Sequence, residues 1–476
     1  MLTILFLFSI YYFKLMTEDK TKDQGDSEYK PEKEKEEISE EEKAVWGVRG
    51  KKYGIYLFVI ALAGWTLASY DYNLLVLAMP NVAAALHLSS ALVGVLGTLI
   101  SLMAIFVPMI LGGLMDVYGR RLMWMIALAV AATCTGFTAI VQNFAELAIV
   151  RMLASSFGLS ELGISITIVN ESLGPKVRGW LYSWVQGGWP LGVFLASAVY
   201  LGFIGFGWRI VFLIGVIPLL VVAIGRYYIK DPVRFENLSK IRKLIKSGVP
   251  LEEIQKKEEY RVDLEEVKKS SIRQIFATPG YVRSQLLKVM LAWFFYASSW
   301  MLTNVYISYF LSHYYGWNPS YIATLLLISG GIGFFFYPLG GFFGEKIGRR
   351  NVLAITAALT PIFAALFLLT VKAILIASII YFFLYQWTNG TWSGAGYAYW
   401  GESFPTRVRG TIMGFLTGWF NTSTFIGGLI FSVLAALIVN PTWIWIILAV
   451  GLSAGELTIL LAKNIKPGQL LEDIAI

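Results

Sequence analysis

Between residues 54 and 462 the chain alternates long apolar runs with short polar or glycine-rich interruptions. Many of the runs exceed the roughly 20 residues that a helix needs to cross a bilayer. Read on that criterion they predict twelve membrane-spanning helices, at 54–78, 89–113, 122–141, 143–169, 179–201, 208–229, 284–312, 319–343, 351–371, 373–398, 410–438 and 442–462. The expected fold class is therefore all-α membrane.

The polar stretches set the domain limits. Residues 1–52 form a charged tail in which Thr17 to Lys43 has too little apolar surface to fold alone. Residues 1–15 are apolar but short for a span and lack the basic flank of a signal peptide. Two readings are open for them: a weak interfacial anchor, or a start at Met16 with residues 1–15 not translated. We favour the second, which the mass of the intact protein tests. Six helices fill 53–229, and six more fill 283–463. The linker, 230–282, mixes charge with spaced Leu, Ile and Val over 235–246 and 251–269, which predicts short amphipathic helices. Residues 464–476 form a second tail.

The two helical halves echo each other. Gly112-Gly113-Leu114-Met115-Asp116-Val117-Tyr118-Gly119-Arg120-Arg121 recurs as Gly341-Phe342-Phe343-Gly344-Glu345-Lys346-Ile347-Gly348-Arg349-Arg350. Glu171 through Arg178-Gly179 recurs as Glu402 through Arg409-Gly410, with the same acid-to-arginine spacing. Both echoes lie about 230 residues apart, which implies a duplicated unit and two pseudo-symmetric six-helix bundles.

Composition and charge sharpen this picture. The chain is 57% hydrophobic and 15% charged, against roughly 25% charged in soluble domains. Its net charge of +8 is explained by membrane topology, so nucleic acid is not a needed partner. One side of the spans holds Arg120, Arg121, Lys176, Arg178, the basic-rich 226–283 segment, Lys346, Arg349, Arg350, Arg407, Arg409, Lys463 and Lys466. The other holds only Arg209 and Lys372. The first side is expected to be cytoplasmic, with both termini there. His87 and His313 fall in external loops and read as solvated. Cys134 is the only cysteine, so an intramolecular disulfide and a cysteine metal site are excluded. No nucleophile–base or metal constellation is present, so an enzyme is not expected, nor a cofactor.

A charge inside hydrocarbon costs several kcal/mol, which makes each ionisable residue within a span a candidate site. Asp71 lies about 14 Å along its helix from Pro80, and Arg151 about 12 Å into span four from the same side. The matching depths allow an ion pair that breaks when Asp71 takes a proton. A permanent pair holding spans one and four together is the alternative. Glu161 is ten residues from Arg151, about 280° around the helix, so it cannot share that face. It reads as a second proton site, a partner for a hydroxyl or the solute, or a neutral packing residue. Glu456 and Lys288 lie near enough to an interface to snorkel.

The repeated turns carry a gate reading. Gly119 and Gly348 permit tight reversals. Asp116 and Glu345 can pair with arginines or face a helix N-terminus of the opposite half. Arg120, Arg121, Arg349 and Arg350 follow those turns. Glu171 with Arg178, and Glu402 with Arg409, can form a charge network across that mouth. Amide and indole groups within spans need partners, which a central water-filled cavity would supply. Candidate solute contacts are Gln186, Asn73, Trp300, Asn304, Tyr306, Trp392, Tyr397, Trp419 and Asn421.

These motifs resemble the major facilitator superfamily, close to its sugar-porter branch and metabolite–proton symporter relatives, over residues 53–463. Asp116-Val117-Tyr118-Gly119-Arg120-Arg121 is similar to the family's loop between helices two and three. Arg151-Met152-Leu153, Gly158, Glu171 and Arg178-Gly179 follow the helix-four pattern, and Tyr70-Asp71 the helix-one pair. Trp208-Arg209 and Asp231-Pro232-Val233-Arg234 resemble motifs flanking helix six, and Glu402 to Gly410 the ending of helix ten. The resemblance implies Asp71 as protonation site, Arg151 as its partner and Gln186 as a sugar contact. It departs in helix seven. Where sugar porters place two glutamines, an asparagine and two tyrosines, this chain has Tyr296-Ala297, Leu302 and Tyr306-Ile307.

The expectation is therefore a monomeric, multi-pass plasma-membrane symporter, driven by a proton gradient and carrying a small polar organic solute by rocking two bundles. A sugar is named first and an organic or aromatic acid second. Efflux, and a non-transporting sensor on the same fold, stay open.

Overall fold

The structure is a computed structural model that describes residues 39–250, 275, 280–438 and 440–465. The expectations for residues 1–15, for a linker helix over 251–269 and for the tail from residue 466 lie outside these described residues.

The regular structure of the described residues is helical throughout. In the N-terminal half, span one is Gly50–Ala85, span two Ser90–Tyr118, span three Arg120–Thr138 and span six Trp208–Gly225. Span four runs as Phe144–Leu159 and Glu161–Ser172, and span five as Arg178–Gln186 and Gly188–Phe203. In the C-terminal half, span eight is Pro319–Ile347, span nine Arg349–Thr370 and span eleven Thr406–Leu437. Its other three helices are each interrupted by a π-turn. Span seven has one at Met301–Val305 between Tyr281–Trp300 and Ile307–Tyr315. Span ten has one at Gln386–Thr391 between Ile374–Tyr385 and Trp392–Glu402. Span twelve, opening at Pro441–Trp445, has one at Ile446–Leu452 and closes in a 3-10 helix, Glu456–Leu461.

Eleven helices among the described residues are long and apolar enough to cross a membrane. Span ten is helical where expected but is not one of the eleven. Gln386, Thr388, Asn389, Gly390 and Thr391 in its middle lower its mean hydropathy. Large apolar side chains such as Phe194, Leu201, Ile224, Leu369, Leu375 and Leu437 face outward. That pattern suits hydrocarbon surroundings rather than water.

Gly119 (φ 109°) and Gly348 (φ 91°) make the two repeated turns in a backbone region that other residues rarely adopt. The halves meet where span two crosses span eleven and span five meets span eight. A Cβ on Gly112 would lie 2.7 Å from Gly414 Cα, so spans two and eleven touch almost backbone to backbone. Trp184 of span five packs edge-on against Phe334 of span eight, centroids 5.6 Å apart.

The linker begins with a helix at Val233–Lys246 that buries Phe235, Leu238 and Ile241, a stripe at helical spacing. It lies across the arginine-bearing ends of both halves. The Arg242 guanidinium donates to the carbonyl of Asp116 in span two and, at 3.1 Å, to that of Arg407 in span eleven. Arg242 sits outside the membrane, and burial lowers its pKa from the usual arginine range.

Candidate functional site

Asp71 and Arg151 meet in the interior of the N-terminal half. Arg151 Nη1 donates to Asp71 Oδ1 at 3.1 Å and Nη2 to Oδ2 at 3.0 Å, a two-point contact. Thr135 of span three donates to the same Oδ1 at 2.6 Å. The side chains are 2% and 0% exposed. Charge-assisted, bidentate pairs of this kind are the strong ones, and removing one partner strands the other in a low-dielectric interior.

Glu161 belongs to a second buried pair, with Arg226 at the end of span six, 2.7 Å away. Trp124 Nε1 donates to Glu161 Oε1 at 2.7 Å, and Arg226 Nη1 donates back to the Trp124 carbonyl at 2.8 Å. The guanidinium lies 4.3 Å from the Trp124 ring centroid. By sequence Arg226 opens the basic-rich 226–283 segment expected on the cytoplasmic side. Its position at a helix end hid the fact that it turns inward.

Between the halves lies a cavity of ≈ 80 Å³. Trp65, Gln186 and Trp189 line it from the N-terminal half. Tyr296, Trp300, Tyr337, Asn389, Ser393, Tyr397, Phe420 and Asn421 line it from the other. Its polar groups are largely held in place already. Asn421 Nδ2 donates to the carbonyls of Ala104 at 3.1 Å and Thr417 at 2.9 Å. Asn389 accepts from Trp300 Nε1 at 2.8 Å and donates to Asn304 Oδ1 at 2.5 Å. Gln186 Nε2 donates to Tyr182 at 2.8 Å. The Trp65 indole N–H is buried with no hydrogen-bond partner among the described residues, which leaves it a donor in the wall.

Of the expected solute contacts, Gln186, Trp300, Tyr397 and Asn421 line this cavity. Five do not. Asn73 turns back to the Ser69 carbonyl, 2.8 Å, within its own helix. Asn304 sits one layer behind Asn389. Tyr306 stacks on Phe431 with centroids 4.3 Å apart. Trp392 is fully buried behind Tyr296, with ring centroids 5.0 Å apart. Trp419 donates to the Met290 carbonyl at 2.8 Å. Composition gave no reason to choose between helix faces. The i, i+4 series Asn389–Ser393–Tyr397 was the signal that could have found span ten's face. Asp71 and Arg151 do not line the cavity either. Asp71 is six residues beyond Trp65, about 9 Å along span one.

At the arginine-rich end the repeated motifs interlock across the halves. Arg178 Nε donates to Glu402 Oε1 and Arg409 Nη1 to Glu171 Oε1, each at 2.8 Å. The acids therefore pair with the other half's arginine, and the within-repeat pairing expected from spacing does not occur. Arg120 also reaches Glu171, 3.1 Å, and Arg349 reaches Glu402, 2.7 Å. Asp116 accepts from the backbone N–H groups of Gly410 and Thr411 at 3.1 and 2.8 Å, in the first turns of span eleven. Glu345 accepts from Trp180 N at 3.1 Å, in the first turn of span five. Each acid thus meets a helix N-terminus of the opposite half, where the helix dipole favours it. Arg121 and Arg350 brace their own sides. Arg121 donates to the Tyr227 carbonyl at 2.7 Å, and Arg350 to that of Ala462 at 3.1 Å. With these contacts made, the arginine-rich mouth is shut.

Glu456 does not snorkel. It is 0% exposed and faces Ser299 of span seven.

Two helical halves, a cavity between them and a mouth closed at one end define a multi-pass membrane transporter of the major facilitator superfamily. The model of the family described as "Sugar (and other) transporter" matches residues 9–470, and the chain belongs to that family. It is 27% identical over 382 residues to the cis,cis-muconate transport protein of Acinetobacter baylyi, covering 75% of this chain and 82% of that protein. It is 24% identical over 376 residues to a probable 4-methylmuconolactone transporter of Cupriavidus pinatubonensis, covering 78% and 81%. Among solved structures, the proton:xylose symporter XylE bound to 6-bromo-6-deoxy-D-glucose superposes with a TM-score of 0.71 at 17% identity, covering 89% of this chain and 98% of that one. That likeness speaks for the fold alone.

Proposed function

We propose that the chain is a proton-coupled symporter for a small, planar organic acid, working as a monomer in the plasma membrane with both termini cytoplasmic. The observation that carries the coupling is the sealed two-point pair of Asp71 and Arg151. A proton arriving on Asp71 removes the charge that holds Arg151, and the guanidinium is then free to swing toward an anion in the cavity. The shut arginine-rich mouth corresponds to a state closed to the cytoplasm. Opening requires Arg178–Glu402 and Arg409–Glu171 to separate.

The cavity wall favours an acid over a sugar. Trp65, Trp189, Tyr296, Trp300, Tyr337, Tyr397 and Phe420 offer ring faces, which suit a flat unsaturated solute. The amide N–H groups of Asn389 and Asn421 that a sugar would use are turned into the protein. Relatives named as a cis,cis-muconate transport protein and a probable 4-methylmuconolactone transporter support the same class. The test is uptake of labelled cis,cis-muconate and of labelled xylose into proteoliposomes under an inward proton gradient. Accumulation of the acid and not the sugar is expected. Accumulation of xylose alone would reinstate the sugar reading, and uptake of the acid indifferent to the gradient would remove the coupling.

A further inference from the structure

Glu456 is the one buried carboxyl among the described residues that faces no cation. Ser299 Oγ lies 3.0 Å from its Oε1, and its Oε2 has no hydrogen-bond partner. The groups that reach it or its turn are few. Span seven presents the Ser299 hydroxyl and Tyr296, and Lys288 lies eleven residues before Ser299 on the same stripe, about 16 Å away along the helix. Span nine presents Arg350, whose guanidinium is held by the carbonyls of Leu460 and Ala462.

The internal duplication shows what is missing. Displaced by the repeat of about 230 residues, Arg226 of span six falls at Glu456 of span twelve. By the same displacement Glu161 of span four falls at Thr391–Trp392 of span ten. The N-terminal half thus holds an acid–base pair where the C-terminal half holds a lone acid and an indole. An ionised Glu456 would be a bare charge in a dry interior.

The neutral acid fits the geometry. Ser299 Oγ is also 3.0 Å from the Tyr296 carbonyl, and a hydroxyl has one proton to give. A protonated Glu456 donates to Ser299 Oγ, and Ser299 then donates to Tyr296 O, so each O–H has an acceptor. An ionised Glu456 would draw the hydroxyl proton to itself and leave its second oxygen unserved. Ser299, the middle of this relay, lies two residues before the π-turn at Met301–Val305, on the helix that places Tyr296 and Trp300 in the cavity wall.

We propose that Glu456 is a second proton-binding site, belonging to the C-terminal half and separate from Asp71. It is loaded in the closed-mouth conformation and unloaded when span seven shifts against span twelve. The proposal depends neither on the solute nor on the role of Asp71.

Infrared difference spectra of the purified full-length protein, stepped from acid to alkaline buffer, test it. A carboxylic-acid C=O band should be present at low pH, disappear reversibly as pH rises, persist in D71N and be missing in E456Q. A band removed by E456Q that never responds to pH while the protein stays folded would make Glu456 a permanently neutral packing residue and overturn the proposal. So would the lack of any band that E456Q removes. If E456Q does not fold, S299A serves, because it keeps the carboxyl and removes the acceptor. The band should then move to higher frequency, and an unmoved band would sink the relay.

Discussion

The N-terminal and C-terminal bundles descend from one repeated pattern, yet they keep charge in different places. Away from the mouth, the N-terminal bundle encloses two full ion pairs, Asp71–Arg151 and Glu161–Arg226. The C-terminal bundle encloses a single acid, Glu456, answered by a serine. It has instead three π-turns, at Met301–Val305, Gln386–Thr391 and Ile446–Leu452. Two of them are stitched together beside the cavity by Asn304 and Asn389. π-turns often mark functional sites within otherwise regular helices. The difference teaches a division of structure: one half concentrates buried ion pairs, the other carries the irregular helices and the larger share of the cavity wall.

That division can be broken first at Arg151. Arg151→Ala leaves Asp71 buried without a cation, and the purified protein should lose about 3–5 kcal/mol of stability in thermal unfolding. Most of the loss should return in the double variant D71N/R151A. A loss of similar size from Asn304→Ala would contradict the comparison, because it would put comparable strain on the C-terminal half.

A smaller effect is expected at the mouth. Glu171→Gln weakens the contacts of Arg409 and Arg120, while Arg409 keeps the Phe404 carbonyl at 2.7 Å. The closed state should lose about 1–3 kcal/mol relative to the open one. Cys134 is the only cysteine, so C134S supplies a background in which a single new cysteine at Ser183 reports opening by its labelling rate. Faster labelling in Glu171→Gln is predicted.

The smallest is in the cavity. Trp300→Phe removes the indole N–H that Asn389 accepts and should weaken solute binding by about 1 kcal/mol, roughly fivefold in KM. Tyr306→Phe should change little, because Tyr306 stacks on Phe431 outside the cavity wall.

Much of this was legible in the chain. The duplicated turns predicted two bundles, and equal depth from one face brought Asp71 to Arg151. The acids at Asp116 and Glu345 were readable as facing the helix starts of the opposite half. What was not legible followed from tertiary packing. Spacing within one repeat suggested Glu171–Arg178, but the two copies exchange arginines when the bundles press together. Arg226 looked like linker charge because one-dimensional position cannot say which way a helix end turns. Glu456 looked close to an interface, but the irregular end of span twelve folds it inward against Ser299. The solute face was hidden for the same reason, since Asn73 and Trp419 match Asn389 and Trp300 in chemistry and differ only in the side of the helix they occupy.

The central proposal is that Asp71 carries the coupling proton while the cavity between the halves carries the solute. Its most direct test compares D71N with Q186A in proteoliposomes, measuring both gradient-driven accumulation of labelled cis,cis-muconate and its counterflow exchange. The account predicts that D71N exchanges but no longer accumulates, while Q186A still accumulates with a raised KM. Accumulation by D71N at the wild-type level would contradict it.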